Sequence, residues 1–134
     1  IITADYVAKS RKAKTYTYMF TWRSPINKGS VHGNELNFCF NTLERAGNEL
    51  PQPTEQDYEL ADIMSSVWAQ FAKTGNPNIK ELPKWKAYTA KNGEMMIFDY
   101  NCEIRNNPDR KLEEIIDRHC FKQLDEFRKK QAGK

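Results

Sequence analysis

Eight consecutive residues, Thr15-Tyr16-Thr17-Tyr18-Met19-Phe20-Thr21-Trp22, limit what this chain can become more than any other stretch. Side chains of an extended backbone alternate between two faces, so Tyr16, Tyr18, Phe20 and Trp22 share one side and Thr15, Thr17, Met19 and Thr21 the other. Four aromatic rings on one face must be covered by other parts of the fold. Arg23-Ser24-Pro25 ends the strand, because proline has no N–H with which to continue the ladder.

Helical patterns surround this strand. Residues 3–13 are predicted as a short helix, with Thr3 or Asp5 near its start and Tyr6, Val7 and Ser10 at helical spacing. It closes in the basic cluster Arg11-Lys12-Ala13-Lys14, a solvated last turn favoured by the helix dipole. Leu36, Phe40 and Leu43 predict one or two helical turns before Gly47, and Pro51 and Pro53 mark a connector. The longest helix starts at Thr54, with Asp57 three residues on as in a capping box. Leu60, Met64, Val67, Trp68 and Phe71 form its apolar stripe, which reads as core packing, and Gly75 and Pro77 end it.

Trp85 and Tyr88 precede Asn92-Gly93, a pair suited to a two-residue type I′ turn. The sequence therefore predicts a β-hairpin there, with Glu94 to Asp99 returning on Met95, Met96, Ile97 and Phe98. Asn107-Pro108 is predicted to open a last helix, asparagine at the cap and proline in the first turn. Its apolar face would hold Leu112, Ile115, Ile116, Cys120, Leu124 and Phe127, ahead of a solvated tail from Arg128-Lys129-Lys130 to Lys134.

The 134 residues amount to one domain's worth of chain, and 39% apolar with 12% aromatic content argues against disorder. Twenty-one basic and 18 acidic residues are mixed along the chain. The net charge of +3 is therefore not gathered into a stripe that a phosphate backbone would need, and nucleic acid is not expected as a partner. No apolar run approaches the roughly 20 residues of a membrane helix, and no signal peptide opens the chain, so a soluble protein is expected. Cys39, Cys102 and Cys120 are odd in number and lack a CxxC spacing, which suits free thiols in a reducing compartment. The first residue is Ile1 rather than methionine, a sign of processing, trimming or a piece of something longer.

Chemistry centres on Val31-His32-Gly33-Asn34-Glu35-Leu36, where one of the two histidines follows the strand and a polar loop through Asn27, Lys28, Gly29 and Ser30. A side chain in a loop between a strand and a helix sits at the rim of a sheet, where clefts form. An imidazole there is suited to acid/base work, although a loop histidine is also commonly structural. The chain offers His32 no convincing nucleophile: there is no Gly-x-Ser-x-Gly, and no cysteine has the neighbours of a thiolate. His119 lies beside the apolar face of the last helix and reads as structural. No HxxxH or CxxC pattern supports a metal, no cofactor is implied, and Asp57, Asp62 and Glu113 read as helix-surface charges.

Taken in order, several motifs together carry a family resemblance. They are Tyr16-x-Tyr18-x-Phe20-x-Trp22; Val31-His32-Gly33-x-Glu35-Leu36-x-Phe38-x-Phe40; Trp68-x-x-Phe71-Ala72-Lys73-Thr74-Gly75-Asn76-Pro77-Asn78; Leu82-Pro83-x-Trp85-x-x-Tyr88; and Met96-x-Phe98-Asp99. This series resembles the C-terminal part of the type-B carboxylesterases, the group that includes para-nitrobenzyl esterases and cholinesterases. The resemblance implies an α/β architecture: the C-terminal third of an α/β-hydrolase fold, with late sheet strands, a β-hairpin and several amphipathic helices, incomplete as a free-standing domain. It places His32 on the family's catalytic histidine, partner of a serine and an acid that would lie upstream together with the oxyanion hole. Glu35 matches an acidic residue of the same motif and would hold the loop in place from one helical turn away. Asn37 stands where the family often has proline and Cys39 where it often has valine.

The expected partners are thus the N-terminal remainder of the same esterase and a small-molecule ester. The chain alone is expected to be inactive and prone to self-association through uncovered apolar faces. The cysteine spacing does not reproduce the disulfides of secreted cholinesterases, which points to a cytoplasmic, microbial esterase. The alternatives are a non-catalytic binding or scaffold module of the same fold, and a small domain unrelated to esterases.

Overall fold

The computed structural model describes residues 2–10, 13–112, 114–116, 118 and 119. In chain order these form helix α1 (Ile2–Ser10), strand β1 (Thr17–Phe20), the single-turn helix α2 (Leu36–Cys39), 3-10 turns at Leu43–Arg45 and Gly47–Glu49, helix α3 (Glu55–Thr74), and strands β2 (Glu94–Phe98) and β3 (Glu103–Asn106). Arg11 and Lys12 of the predicted basic cluster lie outside the described residues, as do Cys120, Leu124, Phe127 and the basic tail.

β1 is shorter than its eight-residue pattern, yet the segment is hydrogen-bonded beyond both ends. The Thr21 N–H donates to the Phe98 carbonyl (2.9 Å), and the Thr15 carbonyl accepts the Tyr88 N–H (2.7 Å). The strands lie in the order β1-β2-β3. β1 and β2 run parallel, Tyr18 opposite Met96 and Phe20 opposite Phe98; β2 and β3 run antiparallel, Met96 opposite Ile104. All five residues of β2 are buried, in keeping with its near-continuous apolar run and its place between two neighbours.

The aromatic face of β1 is covered in part by the two helices that follow, with Tyr18 still 38% exposed. Trp68 of α3 sets its ring 5.1 Å from Tyr18 and 5.8 Å from Phe98, and Phe71 meets Tyr16 at 6.0 Å. α2 brings Phe38 to 5.2 Å from Phe20 and 5.0 Å from Trp22. Tilted and edge-on rings at these separations each add about 0.5–1.5 kcal/mol beyond the area they bury. Leu43, Leu50, Leu60, Ala61, Met64, Val67 and Met96 complete the core.

α3 forms where the capping signals place it. The Thr54 hydroxyl accepts the Asp57 N–H while the Asp57 carboxylate accepts the Thr54 N–H at 2.8 Å, a reciprocal capping box. At the other end Gly75 takes a left-handed φ of +69° and donates its N–H to the Phe71 carbonyl (2.7 Å).

Two expectations are corrected. Asn92-Gly93 does not join two paired strands: only Gly93 has positive φ, whereas a type I′ turn needs two such residues. The turn is organised instead by the Glu94 carboxylate, which accepts the Thr89 N–H (2.8 Å), the Thr89 hydroxyl (2.9 Å) and the Asn92 amide (3.0 Å). Burial would raise this carboxyl, but those hydrogen bonds prevail and hold it below its ordinary value. The hairpin that exists is β2–β3, across residues 99–102. Asn107 is not an extended cap either; it adopts a left-handed φ of +45°, and helical residues begin at Arg110. The side chains of Leu112, Ile115 and Ile116 beyond it are exposed.

Candidate active site

Because β1 and β2 are parallel, both end at the same rim, and that rim is closely stitched. The Thr21 hydroxyl donates to the Asp99 carboxylate across it (2.9 Å). Trp22, 1% exposed, donates its indole N–H to the Asp57 carboxylate (2.8 Å) and to the Tyr100 hydroxyl (3.1 Å), and Tyr100 in turn donates to Asp57 (2.9 Å). Asp57, also 1% exposed, thus gathers donors from the end of β1, the turn after β2 and the start of α3. Burial works to raise its carboxyl, but the hydrogen bonds from Thr54, Tyr100 and Trp22 outweigh it and lower it.

From Trp22 the chain enters the loop that carries His32. Buried Ser24 accepts the N–H groups of Ile26 (3.2 Å) and Asn27 (3.3 Å) at its hydroxyl and donates to the Glu49 carbonyl (3.2 Å). Val31 to Asn34 then form a tight turn: the Asn34 N–H donates to the Val31 carbonyl (3.2 Å), and the Asn34 side-chain oxygen accepts the Val31 N–H (2.7 Å). Gly33, third in the turn, has φ +86°, the region a side chain makes costly.

His32 is the second residue of this turn, and its side chain is exposed to solvent. Among the described residues no hydrogen bond or ion pair fixes its imidazole. Glu35, half-buried, stands just before α2 without a side-chain cap to the helix. After burial itself, its charge helps to raise the Cys39 thiol, pushed up to about 11, and the Tyr18 phenol. A thiol so shifted stays protonated at neutral pH and is no nucleophile. His119 is exposed on the last helical residues described. No group of three or more histidines, cysteines or acids able to hold a metal occurs among the described residues. No helix among them is long and apolar enough to cross a membrane.

The sequence singled out His32 and Glu35 but not the residues that fix the loop around them. Asn34, Glu49 and Ser24 have no motif of their own; they meet only once the 3-10 turn at Gly47–Glu49 folds back on the loop. Asp57 was legible as a helix cap, but the reading of it as a helix-surface charge is corrected: it is 1% exposed, buried under its donors. Its bonds to Trp22 and Tyr100, 35 and 43 positions away, were not legible.

Comparison with known proteins fits this geometry. Residues 1–115 match the sequence model of the Carboxylesterase family. The para-nitrobenzyl esterase of Bacillus subtilis is 35% identical over 108 residues, an alignment covering 76% of this chain and 21% of that protein. Among solved structures, an esterase from Clostridium hathewayi superposes with a TM-score of 0.74 at 27% identity, over 84% of this chain and 22% of that one. A carboxylesterase of Geobacillus stearothermophilus gives 0.69 at 30% identity, over 81% and 23%. A parallel strand pair whose rim delivers a loop histidine to the start of a helix is thus part of an α/β-hydrolase fold. The chain belongs to the carboxylesterase family, and it spans about a fifth of the length of the relatives it matches.

Proposed function

We propose that this chain serves serine-dependent carboxylic ester hydrolysis and that His32 is its general base. The observation that carries the reading is the place of His32: a solvent-reachable imidazole in the loop leaving β1, inside His32-Gly33-x-Glu35-Leu36 and within the family match. The imidazole takes the proton of a serine hydroxyl as that oxygen attacks the ester carbonyl, then returns it to the departing alkoxide. A second cycle with water releases the acid. Glu35 supports the loop from its half-buried place before α2.

Serine and triad acid come from polypeptide that precedes this segment in the complete esterase, which is its main partner; the other is a small-molecule ester. In support, β1 ends the sheet order, leaving its far edge without a strand among the described residues, and edges of parallel sheets are normally covered. Without that remainder the segment does not turn over ester. Cys39 and Cys102 are free thiols, in line with a reducing, cytoplasmic setting.

The test is p-nitrophenyl ester hydrolysis by the complete esterase with and without His32→Ala. Turnover is expected to fall about 10⁴-fold while the circular dichroism spectrum is kept. Retained turnover removes His32 from the chemistry and favours the scaffold reading.

A further inference from the structure

His32 has a mechanical problem that its own side chain does not solve. It is exposed, unbonded among the described residues, and followed by a glycine at φ +86°, so no side chain among the described residues fixes where the imidazole points. A general base must be held to within a fraction of an ångström of the proton it takes.

Two residues away the chain is anchored. Asn34 is only 4% exposed, and both ends of its amide are engaged. The oxygen accepts the Val31 N–H at 2.7 Å, closing a ring around His32 together with the Asn34 N–H bond to the Val31 carbonyl. The nitrogen donates to the Glu49 carboxylate at 3.1 Å, which ties that ring to the 3-10 turn at Gly47–Glu49. Ser24 reaches the same turn from the other side of the loop, donating to the Glu49 carbonyl. The loop is therefore clamped at both ends to one residue, by the carboxylate through Asn34 and by the carbonyl through Ser24.

We infer that Asn34 and Glu49 form a clamp that positions His32 for proton transfer, Asn34 holding the turn and Glu49 anchoring it to the body of the fold. Neither touches substrate; both act through the backbone on either side of the imidazole. The inference rests on His32 being the general base.

The amide of Asn34 makes a swap experiment available. In Asn34→Asp the oxygen facing Val31 is kept, but two carboxylates now face each other where Asn34 donated to Glu49. In the double variant Asn34→Asp/Glu49→Gln the bond reforms with donor and acceptor exchanged, at unchanged net charge. Assayed in the complete esterase, Asn34→Asp is expected to lose about twentyfold or more in kcat with KM within about threefold, and to shift the acid limb of the kcat/KM pH profile. The double variant is expected to return kcat to within about threefold of wild type, and Glu49→Gln alone to stay near wild type.

If His32→Ala is inactive while Asn34→Asp keeps full kcat, the clamp is refuted and the base stands. A loss in Asn34→Asp that the double variant does not restore, accompanied by lower melting temperature in both, assigns Asn34 to stability and equally refutes the clamp. If His32→Ala is active, the base itself is wrong and the clamp has nothing to position. Should Asn34→Asp fail to fold, Glu49→Ala decides, since Glu49 is exposed and its removal leaves the turn's inner ring intact. A roughly tenfold lower kcat is expected there, and unchanged kcat overturns the inference.

Discussion

Asp57 is where a single change should be felt in three segments at once. Its carboxylate accepts the Thr54 N–H and hydroxyl, the Trp22 indole N–H and the Tyr100 hydroxyl, all within 2.7–2.9 Å. Asp57→Asn keeps the shape but removes the charge, and the amide's NH₂ group must face one set of donors. A hydrogen bond to a charged acceptor is worth about 1.5–3 kcal/mol against about 1 for a neutral one. Trp22 keeps the Tyr100 hydroxyl as a second partner, which limits its loss. A difference of about 0.5–1 kcal/mol at each of the other three donors gives about 2 kcal/mol of local stability.

Amide hydrogen exchange in the full-length protein reads this directly: the start of α3 should exchange about 30-fold faster, since every 1.4 kcal/mol is a factor of ten. Thr54→Ala, which loses only the outer half of the cap, should cost about 1 kcal/mol. The pH dependence has a definite sign. The folded carboxyl lies below its ordinary value of 3.8, so its stabilisation is complete above that value and is lost as pH falls through the depressed one. Wild type and Asp57→Asn should therefore differ at neutral pH and converge in acid. A change of less than about threefold at neutral pH would refute the carboxylate as the tie between these segments.

Met96 has no exposed surface at the centre of β2, so Met96→Ala should cost about 2–5 kcal/mol in urea unfolding; a cost near zero would contradict its place in the core. Cys39, its thiol pushed up to about 11 by burial with the Glu35 charge adding, should resist maleimide or disulfide reagents at pH 8 until the protein is denatured, as mass spectrometry of its peptide can show. A Cβ on Gly93 would lie 1.7 Å from the Asn107 side-chain oxygen at a φ of +60°. Gly93→Ala should thus cost about 1–3 kcal/mol, and less in an Asn107→Ala background, which a double-mutant cycle measures.

What could be read without the structure was local. Thr54 with Asp57, and Gly75 with Pro77, bracket α3 because capping chemistry acts within a few residues. The alternation Tyr16 to Trp22 marked β1 and required a cover, without saying that Trp68, Phe71 and Phe38 would supply it. The misplaced hairpin has a physical origin: Asn92-Gly93 is a turn signal, but the partner of Glu94–Phe98 is set by tertiary pairing. β3 went unseen because Glu103-Ile104-Arg105-Asn106 has one apolar residue and no distinctive pattern. At the candidate site, His32 was visible as a histidine in a loop between a strand and a helix. The bracing by Asn34 and Glu49 was not, since an amide and a carboxylate 15 positions apart give no periodic signal.

The parallel pairing of β1 with β2 also decides when this region can take shape. Thr21 and Asp99, bonded across the rim, are 78 positions apart. Everything between them, including all of α3, must be closed into a loop before the first rung forms, and the entropy of that closure is not recovered until several rungs are in place. α3, with its own caps, can be transiently helical earlier and offer Trp68 and Phe71 as a template. On a ribosome the strand carrying Tyr18 and Phe20 emerges ahead of β2 and must wait for it, whatever has been synthesised before. The interval before β2 arrives leaves an unpaired aromatic strand, the kind of species that is prone to aggregation.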